Sequence, residues 1–224
     1  ARRDGEHYIV NGSKTYITSG IRADYYTVAV RTGEEGRKGI SLLLIEKDTP
    51  GFTQTELKKM GWWCSDTATL FFDECRFSGI MLNFNSERLG IIAFATGLAM
   101  VCMDEAVAWA RERVTFGNRL MEHQVIRHKI AEMAKRILTS QAMMERTALQ
   151  MHQGEVPVIE LSLLKVHATE TMEYCAREAL QILGGMGYMR GNKVERIYRE
   201  VRVYAIGGGS EEIMRDLAAR QLGL

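Results

Sequence analysis

Residues Gln181–Leu224 read QILGGMGYMRGNKVERIYREVRVYAIGGGSEEIMRDLAARQLGL. A Gly-rich break at Gly184–Gly187 is followed by a charged helical segment from about Lys193 to Arg202. A second break, Gly207-Gly208-Gly209, opens a final helix from about Glu211 to Gln221. Glycine has no Cβ, so such breaks let backbone amides come close to a ligand. Each also precedes a helix, whose first N–H groups attract anions.

Upstream, the hydrophobic period is helical from about Ser86. Leu89, Ile92, Ala95, Ala99, Cys102, Ala106 and Ala110 recur three or four apart, which predicts one long helix. A second is expected from about Glu122 to Met151, ended by Gly154. A third is expected from Pro157, a residue suited to a first helical turn, to about Leu183. Three long helices with short connections imply an antiparallel bundle.

Residues 7–77 have a different period. His7–Val10, Lys14–Thr18, Tyr25–Arg31, Ile40–Glu46 and Thr67–Phe72 read as strands. Asn11-Gly12 reads as a hairpin turn between the first two. The fold class is α+β: a small antiparallel β-barrel or sandwich over residues 1–79, followed by a helical bundle over residues 80–224.

Composition narrows the function. Hydrophobic residues make up 46 %, charged residues 25 %, and the formal net charge is +1. That balance gives no electrostatic case for nucleic acid or an anionic membrane. The longest apolar run, within Gly90–Met103, is too short to span a bilayer, so no membrane insertion is expected. Four cysteines form no Cys-x-x-Cys pair, which points to reduced thiols and no zinc site. The expected compartment is the cytoplasm, or the mitochondrial matrix in a eukaryote. Ala1-Arg2-Arg3-Asp4-Gly5 runs straight into a strand pattern without an initiator methionine, so the sequence is expected to start inside a longer protein.

Four motifs in order resemble the acyl-CoA dehydrogenase family over nearly the whole chain. They are Asn11–Gly20, Arg113-Val114-Thr115-Phe116-Gly117, Gln181–Tyr188 and the closing Gly-Gly-Ser-Glu-Glu-Ile at 208–213. The resemblance implies FAD and α,β-dehydrogenation of an acyl-CoA thioester to the trans-2-enoyl-CoA. In that chemistry a carboxylate removes the α-proton while the β-hydride goes to flavin N5. The α-proton is a poor acid, so it needs a placed base and donors at the thioester oxygen.

In many family members the base is a Glu at the position held here by Gly208. A minority, the isovaleryl- and long-chain-type enzymes, carries it on the first helix of the bundle within a Glu-Arg-Leu pattern. Glu87-Arg88-Leu89 fits, 26 positions before Arg113 with no gap. Glu87 is therefore the expected base, although a first-turn Glu after Ser86 also suits a helix cap. The resemblance makes the Gly208 N–H an oxyanion donor. Three glycines leave space for a branched or bulky acyl chain at Gly208 and Gly209. Arg88 either contacts CoA or is simply solvated.

By the same resemblance Tyr16, Ile17 and Thr18 lie against the isoalloxazine. Arg113, Phe116 and Gln124 hold the pyrophosphate and adenosine of a neighbouring subunit's FAD, which implies a homodimer or homotetramer. Gln181, Gly184 and Gly185 form a second cofactor segment, and Ser210 and Glu212 close the site. Helix capping explains the carboxylates at 211 and 212 equally well. The electron acceptor implied is an electron-transferring flavoprotein. The alternatives are a flavin oxidase or monooxygenase of the same fold, and a non-catalytic truncated binding module. The family has a helical domain ahead of its β region and a longer join after Phe77. The short join here is expected to mark a segment closed up in the numbering.

Other signals lead nowhere. Gly185-Met-Gly187-Tyr-Met-Arg-Gly191 is one residue off a dinucleotide fingerprint and follows a helix. His123 and His128 lack metal-ligand spacing, and Arg196, Arg199 and Arg202 alternate with Glu195 and Glu200 as in a salt-bridged helix.

Overall fold

The computed structural model describes residues 1–5, 7–36, 39–77 and 85–224, excepting the side chains of residues 85–87. The chain divides into two compact units, Ala1–Asn83 and Phe84–Leu224. The short join expected after Phe77, residues 78–84, lies outside the described residues.

In the first unit, β1 (Arg2–Asp4), β2 (His7–Thr18), β5 (Phe52–Glu56) and β6 (Thr67–Phe77) form one antiparallel sheet in the order β1-β2-β6-β5. Among the described residues β3 (Tyr25–Arg31) pairs only with β4 (Ile40–Glu46). Alternating residues build the core between the sheets: Tyr26, Val28 and Val30 from β3, and Ala68, Leu70 and Phe72 from β6. Phe52 stacks on Phe72 at 5.3 Å between ring centres and meets Tyr26 at 4.9 Å.

Asn11-Gly12 is not a hairpin turn; β2 runs straight through it. Between the pairs Val10–Cys75 and Gly12–Phe72, Asn11 faces two residues of β6, Asp73 and Glu74, and Glu74 takes a φ of 49°. This is a β-bulge. The Asn11 side chain clamps it, accepting from the Glu74 N–H at 2.7 Å and donating to the Glu74 carboxylate at 2.5 Å. Asn-Gly favours positive φ in a bulge as it does in a turn, and the partner strand, not the dipeptide, decides which forms.

A second bulge sits nearer the end of β2. Between the pairs Lys14–Leu70 and Ile17–Ala68, Thr15 and Tyr16 face Thr69 alone, with Tyr16 at φ 62°. It restores the register shifted at Glu74.

In the second unit, α1 (Asn85–Glu112), α2 (Gln124–His152) and α3 (Val158–Leu183) are the three long helices, and α3 packs against both others. Ile92, Ala95, Ala99, Cys102, Ala106 and Ala110 of α1 are fully buried, and their small side chains allow close helix approach. Residues 88–112 are long and apolar enough to cross a membrane by length and composition alone, contrary to the expectation from Gly90–Met103. The exposed Phe94 and Met100 and interspersed small residues extend the apolar character beyond the buried line.

Short elements of this unit include a hairpin of β7 (Val114–Thr115) and β8 (Asn118–Arg119), a 3-10 turn at Leu120–Glu122, and α4 (Gly185–Tyr188). α5 (Lys193–Ile206) and α6 (Glu211–Gln221) both pack on α3. α5 runs four residues past the expected end at Arg202, because Tyr204 and Ala205 are buried and continue its apolar face.

Candidate functional site

The turn joining α5 to α6 is held in a conformation that requires glycine. Gly208 and Gly209 have φ values of 66° and 106°. A Cβ on Gly208 would collide with Ile91 Cδ1, and one on Gly209 would lie 2.5 Å from Met214 Cε. Gly207 N–H caps α5 by donating to Val203 O at 2.7 Å. Among the described residues the Gly208 N–H donates to no backbone carbonyl.

Two cations reach the carbonyls of this turn. Arg88 Nε donates to Gly208 O at 3.4 Å, and Lys165 Nζ donates to Gly209 O at 2.8 Å. The structure thus brings together three predicted residues, Arg88, Gly208 and Gly209. It also shows that Arg88 is half-buried against the turn instead of simply solvated. Glu87 lies in the first turn of α1, one residue before Arg88; its side chain is outside the described residues.

Sequence reasoning missed Lys165 and Ile91. The available signal was a lysine inside the apolar helical run Leu161–Ala168, where a cation has to find a buried acceptor. Burial lowers the Lys165 pKa to about 8, with Glu211 and Glu212 working against the fall.

Downstream, Ser210 is the N-cap of α6 and accepts from Ile213 N–H at 3.5 Å. Its own backbone N–H and the Ser210 hydroxyl hold the Glu212 carboxyl below the usual range. Glu211 accepts from Thr169 Oγ1 at 3.2 Å and lies 3.7 Å from Arg215. Glu212 thus makes first-turn contacts at the start of α6, and Glu211 ties that start to α3 and to Arg215.

The other predicted residues lie on three further surfaces. The Tyr16 bulge places Lys14 and Ile17, which are three apart, along one cleft with Thr18, Tyr25 and Tyr26; its volume is about 380 Å³. Tyr16 itself is 80 % exposed and does not line that cleft. Thr18 leads into a loop fixed by Asp66, which accepts from Ile21 N–H at 2.6 Å and from Arg22 Nε at 2.7 Å. Those bonds, the backbone one foremost, hold the Asp66 pKa below its ordinary value.

Arg113, Phe116 and Gln124 are all exposed around the β7–β8 hairpin. Phe116 forms its tip with Gly117, at φ 52° and 97 % exposed. An apolar ring held outward in a left-handed conformation stabilises nothing within its own chain.

Gln181, Gly184 and Gly185 lie together at the end of α3. Gly184 has φ 60° and ψ −135°, and added Cβ atoms at Gly184 or Gly185 would meet nothing within 4 Å. The backbone there is open to close approach by a bound group. Gly187 differs, because its Cβ would come within 2.6 Å of Leu180 O, so its role is packing. Burial pushes the thiols of Cys102 and Cys175 up to about 12, which leaves them as core-filling groups.

Comparison with known proteins agrees along the whole chain. The model of the acyl-CoA dehydrogenase middle domain matches residues 1–75, and that of the C-terminal domain matches residues 77–223. Cyclohexane-1-carbonyl-CoA dehydrogenase of Geobacter metallireducens is 35 % identical over 99 % of this chain and 62 % of its own length. Mitochondrial isobutyryl-CoA dehydrogenase of Dictyostelium discoideum is 36 % identical over 99 % of this chain and 57 % of its own. The crystal structure of a probable acyl-CoA dehydrogenase from Mycobacterium abscessus superposes with a TM-score of 0.93 at 45 % identity, covering 99 % of this chain and 63 % of that one. The chain thus spans 57 to 63 % of the length of these three proteins. With both domain models in order and this identity, the chain belongs to the acyl-CoA dehydrogenase family, whose members are FAD-dependent flavoproteins.

Proposed function

We propose that this chain supplies the middle and C-terminal domains of an acyl-CoA dehydrogenase that takes a branched or bulky acyl-CoA to its trans-2-enoyl-CoA. Glu87 is the base, and the Gly208 N–H is a donor to the thioester oxygen. The observation that carries the reading is the Gly207–Gly209 turn. Its Gly208 N–H donates to no described backbone carbonyl, its Gly208 carbonyl accepts from Arg88, and a Cβ at 208 would clash with the Ile91 Cδ1 methyl. A side chain at 208 would have to displace the Ile91 methyl and adopt a left-handed backbone, whereas a base at 87 is a single residue from the arginine that touches the turn.

In this reading the Glu87 carboxylate takes the α-proton as negative charge grows on the thioester oxygen. A backbone N–H already oriented toward that oxygen stabilises the charge without reorganising at the moment of reaction. Gly208 can donate whatever its lack of a side chain. FAD, when bound, supplies the hydride acceptor.

The residues present fit that cofactor in two respects. Gly184 and Gly185 offer open backbone, and Arg113 offers an exposed guanidinium suited to a pyrophosphate. Gln181, Ser210 and Glu212 would complete the contacts near Gly184, Gly185 and the start of α6, and Tyr16, Ile17 and Thr18 those of the β unit. The outward Phe116 supports a homodimer or homotetramer in which Arg113, Phe116 and Gln124 serve a neighbouring copy. An electron-transferring flavoprotein is the proposed acceptor, and the cytoplasm or mitochondrial matrix the proposed compartment. The two relatives named for isobutyryl and cyclohexane-1-carbonyl thioesters support a branched substrate.

The test is an anaerobic titration of the FAD-loaded protein with a panel of straight and branched acyl-CoAs, following the visible flavin band. Bleaching with one class is expected. A yellow protein that no acyl-CoA bleaches overturns the reading.

A further inference from the structure

Lys165 is the largest fully buried side chain among the described residues, at 0 % exposure. It lies in the first third of α3, among Leu161, Leu164, Ala168 and Met172. An ammonium group there is costly unless its donors are satisfied, and a Leu or Met would fill the space without that cost. Its two recorded bonds are both to backbone carbonyls, Ala205 O at 2.9 Å and Gly209 O at 2.8 Å. Carboxylates act on it only through space: Glu211 and Glu212 from α6, opposed by Arg202 of α5 and Arg88 of α1.

One carbonyl lies two residues before the three glycines and the other belongs to the last of them. Ala205 lies in the last turn of α5, where carbonyls have no partner within the helix. Gly209 comes immediately before the N-cap of α6. A single ammonium therefore closes a ring around Gly207 and Gly208, the most flexible backbone in the segment. One turn along α3, Thr169 Oγ1 reaches Glu211 at 3.2 Å, so α3 also grips the start of α6.

We infer that Lys165 is the positioning residue of the glycine turn, clipping Ala205 to Gly209 so that the Gly208 N–H is held ready for the thioester oxygen. The inference rests on the assignment of Gly208 as the oxyanion donor. Closed off at 0 % exposure, Lys165 acts only through the backbone it holds. Without the clip, Gly207–Gly209 samples other conformations, and the donor is in place for only part of the time.

The experiment uses K165M and K165Q in the FAD-loaded protein, with two readouts. Amide hydrogen exchange is followed across residues 203–214, and single-turnover flavin reduction is measured with the best acyl-CoA of the wild-type panel. The expected result is faster exchange confined to the glycine turn. With it comes a reduction rate about ten- to a hundredfold lower at saturating acyl-CoA, with little change in acyl-CoA binding. Gln keeps a donor and is expected to fall between Lys and Met. If K165M does not fold, K165Q carries both measurements.

Unchanged exchange in the turn overturns the clip. Faster exchange with an unchanged reduction rate overturns the positioning role. If the wild-type protein is bleached by no acyl-CoA, the failure belongs to the functional assignment, and exchange still decides whether the clip exists.

Discussion

The Cδ1 methyl of Ile91 lies within clashing distance of where a Cβ on Gly208 would stand. One residue of α1 thereby adds a steric cost, beside the left-handed φ, to any side chain on the turn between α5 and α6. The turn keeps its backbone donor. This cost separates the candidate base at position 87 from the donor at position 208.

Gly208→Ala meets two obstacles, a φ of 66° and the Ile91 methyl. It is expected to destabilise the folded protein by about 1–3 kcal/mol and to slow flavin reduction. In Ile91→Ala the steric part disappears while the backbone strain stays. A double-mutant cycle by denaturant unfolding should therefore show the Gly208→Ala penalty falling in the Ile91→Ala background. Strict additivity would mean that the methyl is not the obstacle.

Glu87→Gln keeps the size of the side chain and removes its basicity. Flavin reduction by acyl-CoA is expected to drop about 10²- to 10⁴-fold, with FAD content and melting temperature preserved. A Gln variant that reduces its flavin at the wild-type rate would place the base elsewhere.

Phe116→Gly separates two roles of one residue. At φ 52° and 97 % exposure, the ring contributes strain and no burial to its own chain. Glycine there should stabilise the isolated chain by up to about 1 kcal/mol. It should also weaken FAD retention and subunit association. Flavin-to-protein ratio and light scattering after gel filtration check the second effect. Both unchanged would show that Phe116 serves no neighbouring copy.

Asp66 gives the β unit a pH dependence of known sign. Its folded pKa is depressed, chiefly by the Ile21 N–H and next by Arg22 among the stabilising partners, so the carboxylate is favoured in the folded state. The stability it adds is present above its unfolded pKa of about 4 and is lost as pH falls through the lower folded value. Urea unfolding between neutral and acid pH should show a decline in wild type that is shallower in Asp66→Asn. Equal slopes would remove Asp66 from the account.

The helical half was readable because its period is local. The small-residue line from Ala95 to Ala110, Gly154 after α2 and the start of α6 at Glu211 stand where spacing and capping place them. The glycine turn was readable for the same reason. Asn11-Gly12 was misread because its dipeptide suits either a turn or a bulge, and the deciding partner, Glu74, is 63 residues away. Lys165 was invisible for a related reason. Its acceptors are backbone carbonyls 40 and 44 residues downstream, and a carbonyl leaves no trace in the residue type.

The two bulges of the β unit behave like a pair of opposite dislocations in a crystal row. The extra residue at Glu74 in β6 is cancelled by the extra residue at Tyr16 in β2, so only Gly12–Lys14 and Leu70–Phe72 are paired out of step. Deleting either residue alone would leave the slip open and turn one end of β2 over, either its start or the Ile17–Thr18 end. Deleting both would restore an unbroken ladder. Chain-length changes in this sheet are thus tolerated in pairs, one on each strand.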